Sequence, residues 1–207
     1  MFAELLRERL RGIVELSPEQ FAALEAHYEL LVRWNKTVNL TTITSVEEAV
    51  ERHYCESLFL GAHLPPGRLR VVDVGSGAGF PGFPVAILRP DCAVALVESH
   101  QRKAVFLREA SRKIGNVRVI AKRAENLEEE FDHLISRAVS YEDLRGTLKK
   151  LAPAADLLTG AEDPPDVGMD WDERVTVPWG KARFLRIGRR AAASVGDAVP
   201  IIRDSTC

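Results

Sequence analysis

The sequence predicts an α/β protein: a doubly wound, mostly parallel sheet with an antiparallel last strand, preceded by a helical extension. Three observations predict it. The first 62 residues read as helices. From Leu69 onward, apolar runs of strand type alternate with helix-like stretches. Two late runs, Arg174 to Val177 and Arg183 to Ile187, flank Pro178-Trp179-Gly180 as the arms of an antiparallel hairpin would.

Taken in order, Ser17-Pro18-Glu19-Gln20 forms a capping box with proline at the first helical position. Phe21, Leu24, Tyr28, Leu31 and Trp34 follow at spacings of three and four, so this helix packs by one stripe. Asn35 to Thr44 is polar and β-branched, a connector. A second capping box, Ser45-x-x-Glu48, opens a helix carrying Val46, Val50, Tyr54 and Leu58, and Leu64-Pro65-Pro66-Gly67 ends the helical part. Strands are expected at 69–74, 93–98, 117–121, 132–137 and 155–159, and helices at 82–89, 101–114 and 141–151. In the second of these helices Phe106, Leu107, Ala110 and Ile114 share one side while Arg108 and Arg112 face away. The expected division is a helical extension at 1–64 packed on the core, an α/β domain at 65–190, and a poorly packed tail at 191–207.

The richest stretch is V-V-D-V-G-S-G-A-G-F-P-G, Val71 to Gly82. A strand ends, four glycines fall within eight residues, and a helix begins. α/β proteins hold nucleotides at such a place. Gly75, Gly77 and Gly79 allow positive φ and let a ligand lie against bare backbone. The glycines alone do not choose the ligand, because Gly77-x-Gly79-x-x-Gly82 also fits the dinucleotide fingerprint, and an ordinary βα turn is a further reading. Asp73, and Glu98 at the end of A-V-A-L-V-E, favour S-adenosylmethionine (SAM). Glu98 would accept the ribose hydroxyls, and carboxylates suit an ammonium and a sulfonium. A dehydrogenase would instead aim the helix N-terminus at a pyrophosphate.

A chain of 207 residues with 46% hydrophobic content can fill a sizeable core. Its net charge of −2 argues against a protein that coats naked nucleic acid by bulk electrostatics. Charge is segregated, however. Lys181 to Arg190 carries five bases and no acid, whereas Glu162 to Glu173 carries six acids and no base. This layout permits a basic face on a phosphate backbone and equally fits two solvated stretches. The cysteines, Cys55, Cys92 and Cys207, have no metal or redox spacing, which points to a reducing cytoplasm. No apolar run is long enough for a membrane span, and His27, His63, His100 and His133 share no ligand spacing, so neither membrane nor metal is expected.

Six segments together resemble one known family: W-N-K-T-V-N-L-T (34–41), R-H-Y-C-E-S-L (52–58), the glycine stretch (71–82), L-V-E-S-H-Q-R-K (96–103), R-A-E (123–125) and I-S-R-A-V (135–139). The chain resembles the bacterial small-subunit (16S) ribosomal RNA guanine-N7 methyltransferases, the glucose-inhibited division protein B family. The resemblance implies a Rossmann-like SAM-dependent methyltransferase fold. It also implies a SAM pocket lined by Gly75, Gly77, Phe80, Glu98, Ser99, His100, Ala124, Glu125 and Arg137, with Ala124 and Glu125 at the adenine. Arg137 would lie near the methionine carboxylate or towards RNA phosphate, or serve as a structural partner for an acid. The implied partner is 16S ribosomal RNA within the small subunit, and a monomer is expected. Around the fifth strand the family's glycine-rich entry and Lys-Gly exit are replaced by Pro153-Ala154-Ala155 and Leu158-Thr159-Gly160, which puts any role of that lysine in doubt.

Methyl transfer to guanine N7 is an in-line displacement by an in-plane lone pair with no proton to lose, so no general base is expected. No catalytic residue is therefore assigned, and the candidates are Arg137, Asn39, His53 and Ser57. The last three could line the guanine pocket or tie the helices to the sheet. Cys55 and Cys92 read as small buried residues rather than nucleophiles, and Asp163-Pro164-Pro165-Asp166 reads as a turn. Lys103, Lys181, Arg183 and Arg186 are the candidate RNA contacts. Two other functions stay open: a nicotinamide-dependent oxidoreductase using the same glycines, and a non-catalytic SAM-binding assembly factor. A small-molecule methyltransferase is weakened by the lack of a long lid.

Overall fold

The computed structural model describes residues 1–191 apart from 163, 165 and 166. The expected tail from residue 192 onward and most of the Asp163–Asp166 turn lie outside the described residues.

Helices α1 (Phe2–Leu10) and α2 (Pro18–Asn35) open the chain, and the Ser17 hydroxyl and Gln20 side chain cap α2 reciprocally as the capping box predicts. The next helix departs from expectation. Short α3 (Val46–Glu48), capped by Ser45, runs into a π-helical segment (Ala49–Cys55) and then α4 (Glu56–His63). The spacing explains the change. Val46, Val50, Tyr54 and Leu58 recur every four residues, slightly more than an α-helical turn of about 3.6, so an α-helix would rotate them off the core. The wider i→i+5 turn keeps Val50, Tyr54 and Leu58 all fully buried.

Strands β1 (Arg70–Val74), β2 (Ala93–Val97), β3 (Val117–Ile120), β4 (His133–Arg137), β5 (Ala154–Thr159), β6 (Met169–Thr176) and β7 (Phe184–Arg190) form one sheet of order β3-β2-β1-β4-β5-β7-β6. The first five are parallel, and β7 runs antiparallel to both β5 and β6. β1 is apolar at Val71, Val72 and Val74 because both of its faces are covered. Helices α5 (Gly82–Leu88) and α6 (Gln101–Ala110) join β1 to β2 to β3 on one face. A 3₁₀ turn (Ala124–Asn126) lies between β3 and β4, and α7 (Tyr141–Leu151) crosses the other face to β5.

One apolar core lies under α7, built from Val72, Val74, Leu134, Leu144 and Leu148. The opposite core is continuous from Phe2 through Leu24, Tyr54, Phe83 and Phe106 to Leu185, so the N-terminal helices share it with the sheet. The chain winds outward over β1, β2 and β3 and returns to place β4 beside β1. Loops leaving the carboxyl ends of these two strands diverge, which is the place where open α/β sheets bind ligands.

Candidate functional site

β1 passes into the glycine loop at Gly75, where φ is +74°, and Gly77 follows at +56°. Both are open to solvent at least in part, and an added Cβ on Gly75 would stand 2.5 Å from Val139 Cγ2. Val139 reaches this position because Ala138 adopts φ +57°, a left-handed turn that costs about 1–2 kcal/mol in a residue with a Cβ. Ser136, one residue before Arg137, donates its hydroxyl to the Val74 carbonyl at 2.8 Å and ties the two diverging strand ends together.

Gly79 differs from the other two. It is buried with φ +96°, and a Cβ there would meet His27 Nε2 at 3.2 Å and Phe83 Cβ at 3.1 Å. Its bareness serves the packing of α2 and α5 against the loop, not a ligand. Asp73 also belongs to the scaffold. The expectation of a carboxylate beside the ligand is corrected by its complete burial. Its Oδ2 accepts the Gly82 N–H at 2.9 Å, and Oδ1 has no hydrogen-bond partner.

Burial pushes the Asp73 carboxyl up to about 7, against the lowering effect of the Gly82 N–H. The folded chain thus holds this proton to a higher pH than the unfolded chain, whose aspartates titrate near about 3.9. Stability from this group falls as pH climbs between those values. Asp73→Asn keeps an acceptor for Gly82 and is expected to flatten that slope. Melting temperatures of both proteins between pH 4 and 8 check it: the variant's advantage should grow with pH.

At the end of β2, Glu98 points back to the glycine loop. Its Oε2 accepts the Gly77 N–H at 2.9 Å and its Oε1 the His100 N–H at 2.7 Å. Two amides therefore hold the carboxylate, which is itself buried (8% exposed), with a further lone pair on each oxygen. Ser99 and His100 are exposed beside it. Ala124 and Glu125 open the 3₁₀ turn after β3, the first half-buried and the second exposed. The resemblance places Phe80 in a pocket lining, but its ring is buried. It stacks on His53 at 4.4 Å and meets His27 and Tyr54 edge-on.

Past the carboxyl ends of β4 and β5 lies a crevice of about 1240 Å³, lined on one side by Asn39 and Thr41 to Thr44 and on the other by Arg137 to Val139 and Thr159 to Glu162; the glycine loop and Glu98 are not among its lining residues. Asn35 shapes the first wall, its side-chain oxygen accepting the Leu40 and Thr41 N–H groups and its amide donating to the Thr41 carbonyl. This leaves Asn39 exposed at the bend.

Arg137 ends β4 beneath the crevice. One guanidinium nitrogen donates to the Arg52 carbonyl in the π-helical segment, another to His53 Nδ1 at 2.7 Å, and the group lies 5.4 Å over the Phe80 ring. A guanidinium can only donate, so His53 Nδ1 accepts and its proton sits on Nε2, which donates to Thr41 Oγ1 at 2.9 Å. Burial, then Arg137 and Arg52, hold His53 neutral far below the usual histidine range. Both ring nitrogens are engaged, so His53 is a strut, not a base. The Arg137 cation is held by neutral groups, and burial lowers its pKa to about 10. Ser57 is withdrawn from the crevice: it is fully buried and bonded to the His53 carbonyl one turn back.

Among the candidate RNA contacts, Lys103 lines the crevice. Arg183 also reaches it, but is committed to a bidentate pair with the fully buried Glu56, at 3.0 and 2.6 Å. Lys181 lies in a separate groove of about 520 Å³ with Glu47, Glu48 and Glu51, and Arg186 is half-buried within β7, beside Arg174 on the neighbouring strand. The basic run is thus not one continuous face. Arg183→Ala strands the Glu56 charge in the core and is expected to cost about 3 kcal/mol. Urea unfolding checks it, and adding Glu56→Gln should restore most of the loss. Sequence reasoning missed Thr41 and Arg52 at the site. Cys55 and Cys92 are buried as expected.

A family model described as rRNA small subunit methyltransferase G matches residues 20–155, a stretch containing the glycine loop, Glu98, His53 and Arg137. The chain belongs to this family, GidB. The ribosomal RNA small subunit methyltransferase G of Chromobacterium violaceum is 44% identical over 142 residues, covering 67% of this chain and 68% of that one. The same enzyme of Xanthomonas euvesicatoria pv. vesicatoria is 48% identical over 122 residues, 57% of each chain. The alignments thus span between somewhat over half and two thirds of these relatives' lengths. A SAM-dependent methyltransferase of Aquifex aeolicus, 18% identical, superposes with a TM-score of 0.56 over 70% of this chain and 93% of its own, which shows the methyltransferase fold. The GidB match stops within β5, just where the chain departs from the family's expected glycine-rich entry and Lys-Gly exit.

Proposed function

We propose that this GidB-family chain transfers a methyl group from SAM to N7 of a guanine in 16S ribosomal RNA of the small subunit, acting as a cytoplasmic monomer on the assembled ribonucleoprotein. The observation that carries the reading is the pairing of bare glycine backbone and an amide-held Glu98 at the ends of β1 and β2 with the chamber that Arg137 lines at the end of the neighbouring β4.

The residues present fit an adenosyl ligand: Gly75 and Gly77 leave their backbone open, and Glu98 keeps lone pairs for the ribose hydroxyls. Ser99, His100, Ala124 and Glu125 sit at the next two strand ends, where the adenine would be read. SAM supplies an electrophilic methyl group when bound. The chain's own task is to present guanine N7 in line with it, the reacting atoms about 3–3.5 Å apart. N7 has no proton to lose, which suits a chamber where His53 has both nitrogens engaged and Ser57 is buried. Asn39 and Thr41 to Thr44 would face the base. Arg137 and Lys103 supply positive charge for phosphate, or Arg137 for the methionine carboxylate.

Titration calorimetry with SAM, S-adenosylhomocysteine, NAD and NADP tests the pocket, and binding to the nicotinamides alone would overturn it. Methyl incorporation into intact small subunits, stripped RNA and metabolite pools tests the acceptor. The proposal expects label in subunits. SAM binding with no S-adenosylhomocysteine released would instead identify a non-catalytic assembly factor.

A further inference from the structure

A buried group that neither the chamber nor Glu98 explains is His27 on α2. It is fully enclosed, stacked on Phe83 at 4.2 Å and edge-on to Phe80, Tyr54 and Phe106. Its Nε2 lies 3.1 Å from the Ala78 carbonyl and its Nδ1 2.8 Å from the Tyr54 hydroxyl. A carbonyl only accepts, so the proton sits on Nε2 and the Tyr54 hydroxyl donates to Nδ1. A purely apolar side chain would fill this space at less cost, since burying an imidazole forfeits its hydration. One ring nitrogen is therefore spent on a backbone atom, the carbonyl between Gly77 and Gly79, and the other on the Tyr54 hydroxyl.

We infer that His27, oriented by Tyr54, is a positioning residue for SAM binding: by holding the Ala78 carbonyl it sets the peptide planes of the glycine loop, so that the N-terminal helices form part of the cofactor site. Three observations support it. The loop's other ties come from the ends of β1 and β2, Gly75 and Ser76 bonding to the Val97 carbonyl, Gly77 to the Glu98 carboxylate and Gly79 and Phe80 to the Ser76 carbonyl, whereas the His27 bond reaches it from the N-terminal helices. A Cβ placed on Gly79 would stand 3.2 Å from Nε2, so the ring edge leaves no room for a side chain at the residue after Ala78. Burial holds His27 neutral, at about 3, so its donor proton stays in place across the working pH range. The inference rests on Gly75 to Gly79 being the cofactor cradle.

The test compares His27→Phe with His27→Gln, whose amide can restore a donor near Nε2. Losing one hydrogen bond that orders the loop is expected to raise the KM for SAM about tenfold in His27→Phe. The kcat at saturating SAM and the KM for small subunits should stay within about twofold, and His27→Gln should recover most of the affinity. Tyr54→Phe should show the same split at about threefold, and carries the test if His27→Phe does not fold. An unchanged KM for SAM, a fall in kcat matching the rise in KM, or glutamine no better than phenylalanine would overturn the role of His27. Wild-type protein that binds no SAM by calorimetry would overturn the cradle itself, and the inference with it.

Discussion

Gly75→Val is expected to abolish SAM binding while leaving the chain folded. The residue stands at φ +74°, where a β-branched side chain is strained, and its Cβ would stand 2.5 Å from Val139 Cγ2. Two remedies exist, and both close the cradle. Either Val139 and the left-handed turn at Ala138 move, which disturbs the strand ends, or the loop rotates and takes the Gly77 N–H away from Glu98. The strain costs about 1–2 kcal/mol, well within the stability of an ordinary domain. Calorimetry on protein with a wild-type circular dichroism spectrum should detect no binding. Unchanged affinity in a folded variant would show that the loop is not the cradle.

Arg137→Ala is expected to lower kcat/KM for small subunits on the order of a hundredfold, whereas Arg112→Ala, on the exposed surface just after α6, should leave it within about twofold. Arg137 does two jobs. Its charge is not cancelled by a bonded carboxylate, and it fastens the π-helical segment to β4 through the Arg52 carbonyl and His53. Alanine removes the charge and leaves two acceptors without their donor. Arg137→Lys, which keeps charge but not the fork, should fall between. Steady-state methylation of subunits measures all three, and equal effects at Arg112 and Arg137 would place the site elsewhere.

What the sequence made legible follows from short-range physics. Apolar runs broken by glycine and proline announced every strand of the parallel sheet, and the run after Pro178-Trp179-Gly180 announced the antiparallel β7. The glycine loop and Glu98 were legible because each sits at a strand end. Less legible were features set by distant partners. Asp73 and Gly79 look like ligand contacts in one dimension, yet Gly82 and His27 claim them in space. Arg183 looks like a free phosphate contact until Glu56, 127 positions earlier, is found beneath it. The π-helical turn was hidden behind the Ser45 cap, of which only the Ser45 half forms because Glu48 pairs with Arg52, although the four-residue spacing of Val46, Val50, Tyr54 and Leu58 hinted at it. His27 fell on the apolar stripe of α2, and nothing local distinguished it from packing.

The most direct test of the account is to incubate small ribosomal subunits lacking the modification with the protein and SAM carrying a labelled methyl group, then to reduce the RNA with borohydride and cleave it with aniline. The account predicts label in 16S ribosomal RNA and a new scission at a guanine, both lost in Gly75→Val. Label without aniline-sensitive scission would contradict the N7 assignment, and no label in subunits that the protein binds would contradict methyl transfer itself.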